Sequence, residues 1–426
     1  MLSLLNKMYK IKLRQMIKKK IAIIAIVCMV ATISEAYSQS YEGLGRRGRN
    51  VITTAVPSLL IGPDSRVGAM GESGVALGDD INAQHWNPAK YAFMKNPFGL
   101  GLSYSPWLAN LGVNDIYLLY LSGYAKASKM DVVSFSLRYF SMGEMEMTDE
   151  TGESKGKANP HEFAIDAGYS RKLVDNWSLA LSGRFIYSYL SNYSSYGGGG
   201  DIKPGIAGAV DIGLFYTKDL RANTVEGNKI SWGLCLSNIG SKISYSTSTY
   251  FRSFIPANFR TGIAYALEID KYNKLTFTFD LNKLLVPTPP VFARDSSNMV
   301  IRDPNGEPII AKGDKKYRNR AVAESLITSW YDAPRGFAEE MEEFIQNIGI
   351  EYGYNDIFFI RTGFFNEAAT KGNRKYITFG VGLKYSMFSI DASYILPVNN
   401  RNHPLENTLR FSLTFDFFNK TSTQRK

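Results

Sequence analysis

The chain has 426 residues, with 49 Lys and Arg against 39 Asp and Glu, and only 2 cysteines. Residues 1–38 hold seven of the basic residues and one Glu, so the remainder carries a formal charge of +4 and no clustered basic stripe of the kind a nucleic-acid footprint requires. Cys28 falls in that leader and Cys235 stands alone beyond it, which excludes an intramolecular disulfide framework.

The amino end reads as a targeting signal. Lys18-Lys19-Lys20 precedes an apolar run from Ile21 to Ile33, and Ala36-Tyr37-Ser38 sets small residues before a cut at Gln39. That order defines a secretory signal peptide over residues 1–38. The leader's length points to Met16 as the start. The apolar run is 13 residues, short of the roughly 20 a membrane anchor needs. Val27 before Cys28 is too large for a lipoprotein cut, so no lipid anchor is expected. Past residue 38 no apolar stretch approaches a spanning helix, yet there are 26 Tyr and 25 Phe against 3 His. Such an exported chain can cross a membrane only as a closed barrel, whose rims carry aromatic girdles.

Residues 39–96 come before the first strand and are expected to form a plug inside the lumen rather than a disordered periplasmic tail. Asn87-Pro88 reads as a helix cap followed by proline at the first helical position. Trp86, Tyr91 and Phe93 would seat that short helix against the barrel. The residues assigned to the plug are Asp64, Arg66, Met70, Gly71, Trp86, Asn87 and Pro88.

Strand patterning then runs through the chain. Leu409, Phe411, Leu413, Phe415 and Phe417 interleave with Arg410, Ser412, Thr414 and Asp416, and residues 133–139, 275–282 and 377–385 repeat the pattern. Period-two alternation puts one set on each face of a sheet, here apolar to lipid and polar to the interior. Candidate strands lie near 98–106, 115–126, 131–140, 161–173, 177–189, 205–218, 229–238, 258–268, 274–283, 348–355, 357–366, 376–385, 388–396 and 408–418. The fold class is therefore all-β, a transmembrane antiparallel barrel of about 14 strands over 97–418, with a tail at 419–426. Connections after even strands are mostly tight and those after odd strands mostly long, which matches short periplasmic turns and long extracellular loops. A soluble β-sandwich would also alternate but would not impose this parity. The even count is expected to return both termini to the periplasm.

The longest connection, 284–347, is expected to be an extracellular insertion. Val286-Pro-Thr-Pro-Pro290 is a stiff lead, Asp303-Pro-Asn-Gly-Glu307 a turn, and 321–331 and 335–346 read as helices. In the second, Phe337, Met341, Phe344, Ile345 and Ile348 recur at helical spacing opposite Glu339, Glu340, Glu342 and Glu343. It is read either as a lid folded over the mouth or as an apolar face for a partner. Tyr245, Tyr250, Phe251 and Phe254 make a second aromatic loop, and these four with Phe337, Met341, Phe344 and Ile345 are the candidate partner-binding residues.

No chemistry emerges from the polar residues. His85, His161 and His403 are not paired by spacing with Cys or carboxylate clusters, so neither a metal site nor a cofactor is expected. The run Gly197–Gly200 joins two strands and opens no helix, which excludes a phosphate cradle. Gly71-Glu-Ser-Gly74 is one residue short of a nucleophile elbow. The chain is read as no enzyme.

Several segments resemble the PorV family of outer-membrane proteins of the type IX secretion system. They are Leu60-Ile-Gly-Pro-Asp-Ser-Arg66, Gly68-Ala-Met-Gly71, Trp86-Asn-Pro-Ala89, Phe259-Arg-Thr-Gly262, Phe359-Ile-Arg-Thr-Gly-Phe-Phe-Asn366, Lys371-Gly-Asn-Arg-Lys-Tyr376 and Pro404-Leu-Glu-Asn-Thr-Leu-Arg-Phe411. The Asn-Pro-Ala element alone is similar to the hatch of the wider FadL-type barrels. The resemblance implies an integral outer-membrane protein of Bacteroidetes, with loops at the cell surface, working beside the translocon barrel SprA, also called Sov. It implies that cargo is received by its C-terminal signal domain and passed to an attachment complex of PorU, PorQ and PorZ, with no catalytic residues on this chain. The other reading is a FadL-type diffusion channel for hydrophobic small molecules, which requires a continuous apolar tunnel.

Overall fold

The computed structural model describes residues 50–107, 115–148, 151–190, 203–222, 225–246, 252–295, 299–304, 306, 308–398 and 408–417. The predicted signal peptide, Tyr250, Phe251, His403, the glycine run 197–200 and the tail 419–426 lie outside them.

Fourteen antiparallel strands close into one barrel: β1 Phe98–Pro106, β2 Ile116–Lys126, β3 Asp131–Met142, β4 His161–Val174, β5 Trp177–Tyr189, β6 Gly205–Ala222, β7 Val225–Gly240, β8 Asn258–Glu268, β9 Asn273–Leu284, β10 Ile345–Tyr354, β11 Phe358–Asn366, β12 Lys375–Tyr385, β13 Phe388–Pro397 and β14 Leu409–Phe417. Each pairs with its sequence neighbour, and β1 closes the sheet on β14 with Phe98 opposite Phe417 and Tyr104 opposite Phe411. Closure leaves no unpaired edge, the condition for strands in hydrocarbon. No described helix is long and apolar enough to cross a membrane.

The alternation faces the expected way. Val133, Phe135 and Leu137 are at least 40% exposed, while Ser134, Ser136 and Arg138 between them are buried in the lumen. Outward aromatics gather at both rims. Trp177 lies 4.8 Å from Tyr216 and 5.9 Å from Trp232 at one, and Tyr117 lies 6.2 Å from Tyr139 and 5.9 Å from Tyr104 at the other. Loop parity holds as well. One end carries connections 127–130, 175–176, 223–224, 269–272, 355–357 and 386–387, the other 143–160, 190–204, 241–257 and 285–344.

Two local readings need correction. Strand β10 starts at Ile345, so Ile345 and Ile348 belong to the wall and not to a helix. The two insertion helices are shorter than their periodicity, at Val322–Thr328 and Phe337–Glu342. The even strand count brings Phe98 and Phe417 to the short-turn end, and Asn50, the first described residue, lies at the long-loop end; the amino terminus itself lies outside the described residues. The Asn50 N–H donates to the Thr370 carbonyl at 3.0 Å, in the connection 367–374, and its amide to the Pro289 carbonyl at 3.0 Å, in 285–344; both connections lie at the long-loop end.

Residues 50–96 run down the inside of the barrel from that end to the short-turn end. Along the way they form a 3₁₀ turn Pro57–Leu60, helix α1 Ser65–Gly68, helix α2 Ala83–Trp86 and a second 3₁₀ turn Pro88–Phe93. Following this numbering, the insertion helices Val322–Thr328 and Phe337–Glu342 are α3 and α4.

Candidate functional site

The lumen is the first part of the site, and its filling is built from polar contacts. Asp64 caps α1 by accepting from the Val67 N–H at 2.9 Å, and its second oxygen accepts from Trp86 Nε1 at 2.6 Å. One carboxylate thus starts a helix and locks the largest side chain of the segment, which packs with Val67, Met70 and Leu77. Asn87 does the same for the second 3₁₀ turn, accepting from the Ala89 N–H at 3.1 Å while its amide donates to the Leu214 carbonyl of β6 at 3.0 Å.

The segment is tied to the wall all round. Ser65 N–H donates to Ser412 Oγ of β14 at 2.8 Å, and Gly71 N–H to Thr378 Oγ1 of β12 at 2.9 Å. Asp280 of β9 accepts from the N–H groups of Gly74 and Val75 at 2.7 and 2.9 Å. Ser170 of β4 and Ser178 of β5 each donate, at 2.7 Å, to the carbonyls of Pro88 and Ala89. Ser134 of β3 and Ser182 of β5 hold the two ends of the Gln84 amide. Between these seams sit buried charges: Lys90 on Asp80 at 2.7 Å, Arg410 on Glu72 at 2.8 Å, and a chain Arg66–Glu351–Arg361–Asp391 with links of 3.1, 2.6 and 2.6 Å. Every residue assigned to the plug lies in this inner segment, and Asp64, Met70, Trp86 and Asn87 are fully buried. Only Arg66 reaches towards a cavity of about 320 Å³, which opens at the short-turn end among charged groups such as Asp79, Lys274 and Asp416.

The outer rim is the second part. Helix α4 is seated by its acidic face. Glu339, Glu340 and Glu343 are buried. Lys283, at the end of β9, bonds Glu340 at 3.0 Å and also Glu343, and Lys371 bonds Glu339 at 2.7 Å and Glu343 at 2.8 Å. Burial would raise the Glu339 carboxyl. Hydrogen bonds from Lys371, the Arg335 N–H and Asn50 overcome that and hold it down at about 2. The outward face therefore carries Phe337, 77% exposed, and Met341, 46% exposed, with Ile327, Trp330 and Tyr331 also exposed on and after α3.

The remaining partner-binding candidates fare differently. Phe254 is buried with Ala257, Leu285 and Val286, under Lys242 Nζ at 4.1 Å. Tyr245 is half-buried against Val56, Leu59 and Ile186, its hydroxyl donating to Ser188 at 2.9 Å. Phe344 packs on Trp330 at 6.2 Å, and Ile345 faces Phe365 and Tyr376 in the wall. Of the described candidates, Phe337 and Met341 alone are exposed. Sequence reading missed Arg138, Lys283, Asp280, Glu351, Arg361, Lys371 and Asp391. For those on strands a signal existed, since a charge at an inward strand position must find a partner inside.

No group of three or more His, Cys, Asp or Glu among the described residues could hold a metal ion.

An apolar outer wall, aromatic rims, closed antiparallel pairing and a polar interior define an outer-membrane β-barrel, with residues 50–96 hydrogen-bonded to its inward-facing side chains. The family model described as type IX secretion system protein PorV matches residues 45–291, more than half of the sequence, and the chain belongs to that family. No curated protein matches it. Among solved structures it is similar to a deletion mutant of the TodX monoaromatic hydrocarbon channel (13% identity, TM-score 0.47) and to the P. putida toluene transporter TodX (13%, 0.44), each over 84% of this chain and 99% of the other. A Pseudomonas aeruginosa FadL homologue matches with 11% identity and a TM-score of 0.39, over 84% and 99%. The functional reading rests on the family match and the site.

Proposed function

We propose that this barrel is a platform held in the outer membrane, which receives secreted proteins by their C-terminal signal domain from the translocon barrel SprA and hands them to the attachment complex of PorU, PorQ and PorZ. The single observation that carries it is the match to the PorV family over residues 45–291. The geometry supports it in two ways. The lumen is filled by a segment bonded to the wall on every side, so the barrel offers a surface rather than a path. At the long-loop end, which this reading turns to the cell exterior, α3, the turn after it and α4 expose Ile327, Tyr331, Phe337 and Met341. Apolar side chains held out from a rigid seat are typical of docking faces. A channel for hydrophobic molecules fits less well, because the lumen is lined by Arg, Asp and Glu side chains in ion pairs.

The test is a deletion strain complemented with the wild-type or a variant gene, with surface display of a C-terminal-signal cargo as the readout. Normal display in the deletion strain would overturn the proposal. Affinity purification of the detergent-extracted wild type should recover the translocon and attachment proteins, and partners of another class would equally refute it.

A further inference from the structure

We infer that α3 and the turn after it lie in the membrane boundary at the long-loop end, with Ile327, Trp330 and Tyr331 against lipid and the basic residues before the helix beside anionic headgroups. The wall carries the first part of this. On β8, Phe259, Thr261 and Ile263 alternate with buried Asn258, Arg260 and Gly262, and Ile263 is 52% exposed on the outer face. Phe259 therefore points outward, as do its direct cross-strand partners, Leu236 of β7 and Lys283 of β9. It is the second of the 11 residues of β8. A crossing takes about 9–11 residues, so this row marks the long-loop edge of the apolar band. On β1, β2 and β3 the same edge carries the girdle tyrosines Tyr104, Tyr117 and Tyr139. On β7, β8 and β9 the insertion covers it instead. Lys283, which would be costly against lipid, is held by Glu340 and Glu343. Val322 and Leu326 of α3 pack on the cluster that includes Leu236 and Phe259, and Trp330 stands 5.1 Å from Phe259 and 6.2 Å from Phe344. Helix α3 thus sits on the outer side of the rim, at girdle height.

The helix has three sides. Val322, Ser325 and Leu326 turn to the barrel. Glu324 and Thr328 make a polar side, where Thr328 Oγ1 accepts from Arg320 at 2.7 Å. Ala323, Ile327, Trp330 and Tyr331 recur at spacings of three and four and form an exposed stripe, with Ile327 at 66% and Tyr331 at 68%. An apolar stripe beside a polar side is the pattern of helices that lie in a membrane interface, the depth that Trp and Tyr favour. Here the stripe continues the lipid-facing surface of the wall on which the helix rests. Exposed Lys315, Lys316 and Arg318 come just before α3 and supply the charge that anionic headgroups attract. The exposed residues of the insertion are thereby divided. Ile327 and Tyr331 go to lipid, and Phe337 and Met341 of α4 remain for the docking proposed above. The inference stands on the wall and the helix, whichever partners the barrel meets.

Nitroxide accessibility tests it, with the purified protein alone in vesicles of phosphatidylcholine and phosphatidylglycerol. The native Cys235 is buried, so it contributes little background. Four single variants are labelled: Ile327→Cys and Glu324→Cys on α3, Ile263→Cys on the outer wall as the lipid reference, and Lys129→Cys in the exposed turn between β2 and β3 as the water reference. Relaxation by oxygen, which concentrates in lipid, is compared with relaxation by a water-soluble nickel chelate. The expected oxygen-to-nickel ratio at Ile327→Cys is severalfold above that at Lys129→Cys and close to that at Ile263→Cys, while Glu324→Cys follows Lys129→Cys. A water-like ratio at Ile327→Cys would overturn the inference, because no secretion partner is present in the vesicles and only lipid can cover that residue. The ratio at Ile327→Cys should also rise with the phosphatidylglycerol content, and Lys315→Gln with Lys316→Gln should remove that dependence. A dependence unchanged by the double substitution would overturn the headgroup contact. Neither result bears on cargo transfer.

Discussion

At Gly363 of β11 an added Cβ would stand 2.0 Å from the backbone nitrogen of Gly71, and at Gly71 it would stand 2.6 Å from the Phe364 nitrogen. Gly71 also has φ +64°, a conformation that side-chain-bearing residues adopt at a cost. The inner segment and the wall thus touch backbone to backbone, and neither can yield as a flexible side chain would. Gly363→Ala should cost at least the ~1–3 kcal/mol of stability typical of overpacking and so lower the unfolding midpoint in detergent, whereas Gly183→Ala, whose Cβ meets nothing within 4 Å, should leave the midpoint unchanged. The charges under α4 make a second case. Lys283 is fully buried between Glu340 and Glu343, so Lys283→Met strands carboxylates and should cost about 3–5 kcal/mol. Guanidinium unfolding followed at the insertion would register it. Glu339 gives the pH dependence. Its carboxyl is depressed to about 2 in the folded chain from an ordinary 4.5, so its contribution is complete above pH 4.5 and is lost as pH falls towards 2. Amide exchange over 337–343, corrected for intrinsic rates, should rise across that window in the wild type and lose the dependence in Glu339→Gln.

Helix α4 is where element-scale reasoning and tertiary context part company. The i, i+4 pair Phe337 and Met341 and the opposed glutamates were legible as an amphipathic helix, but periodicity cannot say which face goes down. The answer lies far along the chain, in Lys283 and Lys371, 57 and 32 residues from the glutamates they bind. The same helix ends early because Ile345 is claimed by pairing with Asn282 of β9, which overrides its helical spacing. Strands were read more closely, since a single alternating face against lipid fixes both type and register. Each of the fourteen runs corresponds to a barrel strand, with most bounds within a few residues. What the strand pattern left unread was the purpose of inward charges such as Asp280, Glu351 and Arg361: Asp280 accepts from backbone N–H groups of the inner segment, Glu351 accepts from Arg66 and Arg361, and Arg361 also donates to Asp391. The exposed pair yields its own prediction. Phe337→Glu with Met341→Glu points two charges into solvent and touches none of the buried bonds, so barrel stability should be unchanged. Recovery of partners from detergent extracts and surface display of cargo should both fall at least tenfold. Full display by the double variant would exclude α4 as the docking element.

For the whole molecule, the decisive quantity is strand number. Eight-stranded barrels fill themselves with side chains, while sixteen- to eighteen-stranded ones leave an aqueous channel. Fourteen strands enclose more space than inward side chains can occupy, and here the difference is made up by residues 50–96, carried from the long-loop end to the short-turn end. Their anchorage is distributed over β3, β4, β5, β9, β12 and β14, so no single hinge releases them. Many of these bonds pair buried groups that would otherwise lack partners, and an unpaired buried donor or acceptor costs about 1–3 kcal/mol. Opening a passage would break several at once. The wild-type protein reconstituted in a planar bilayer should therefore show no unit conductance steps, with cargo transfer intact in cells. A variant lacking 57–94, with β1 still preceded by its signal, should either conduct in large steps or fail to fold. Folding is read by its resistance to heat unfolding in detergent. Steady conductance from the wild type would mean that the segment leaves room for ions, and the barrel would then have to be treated as a channel as well as a platform.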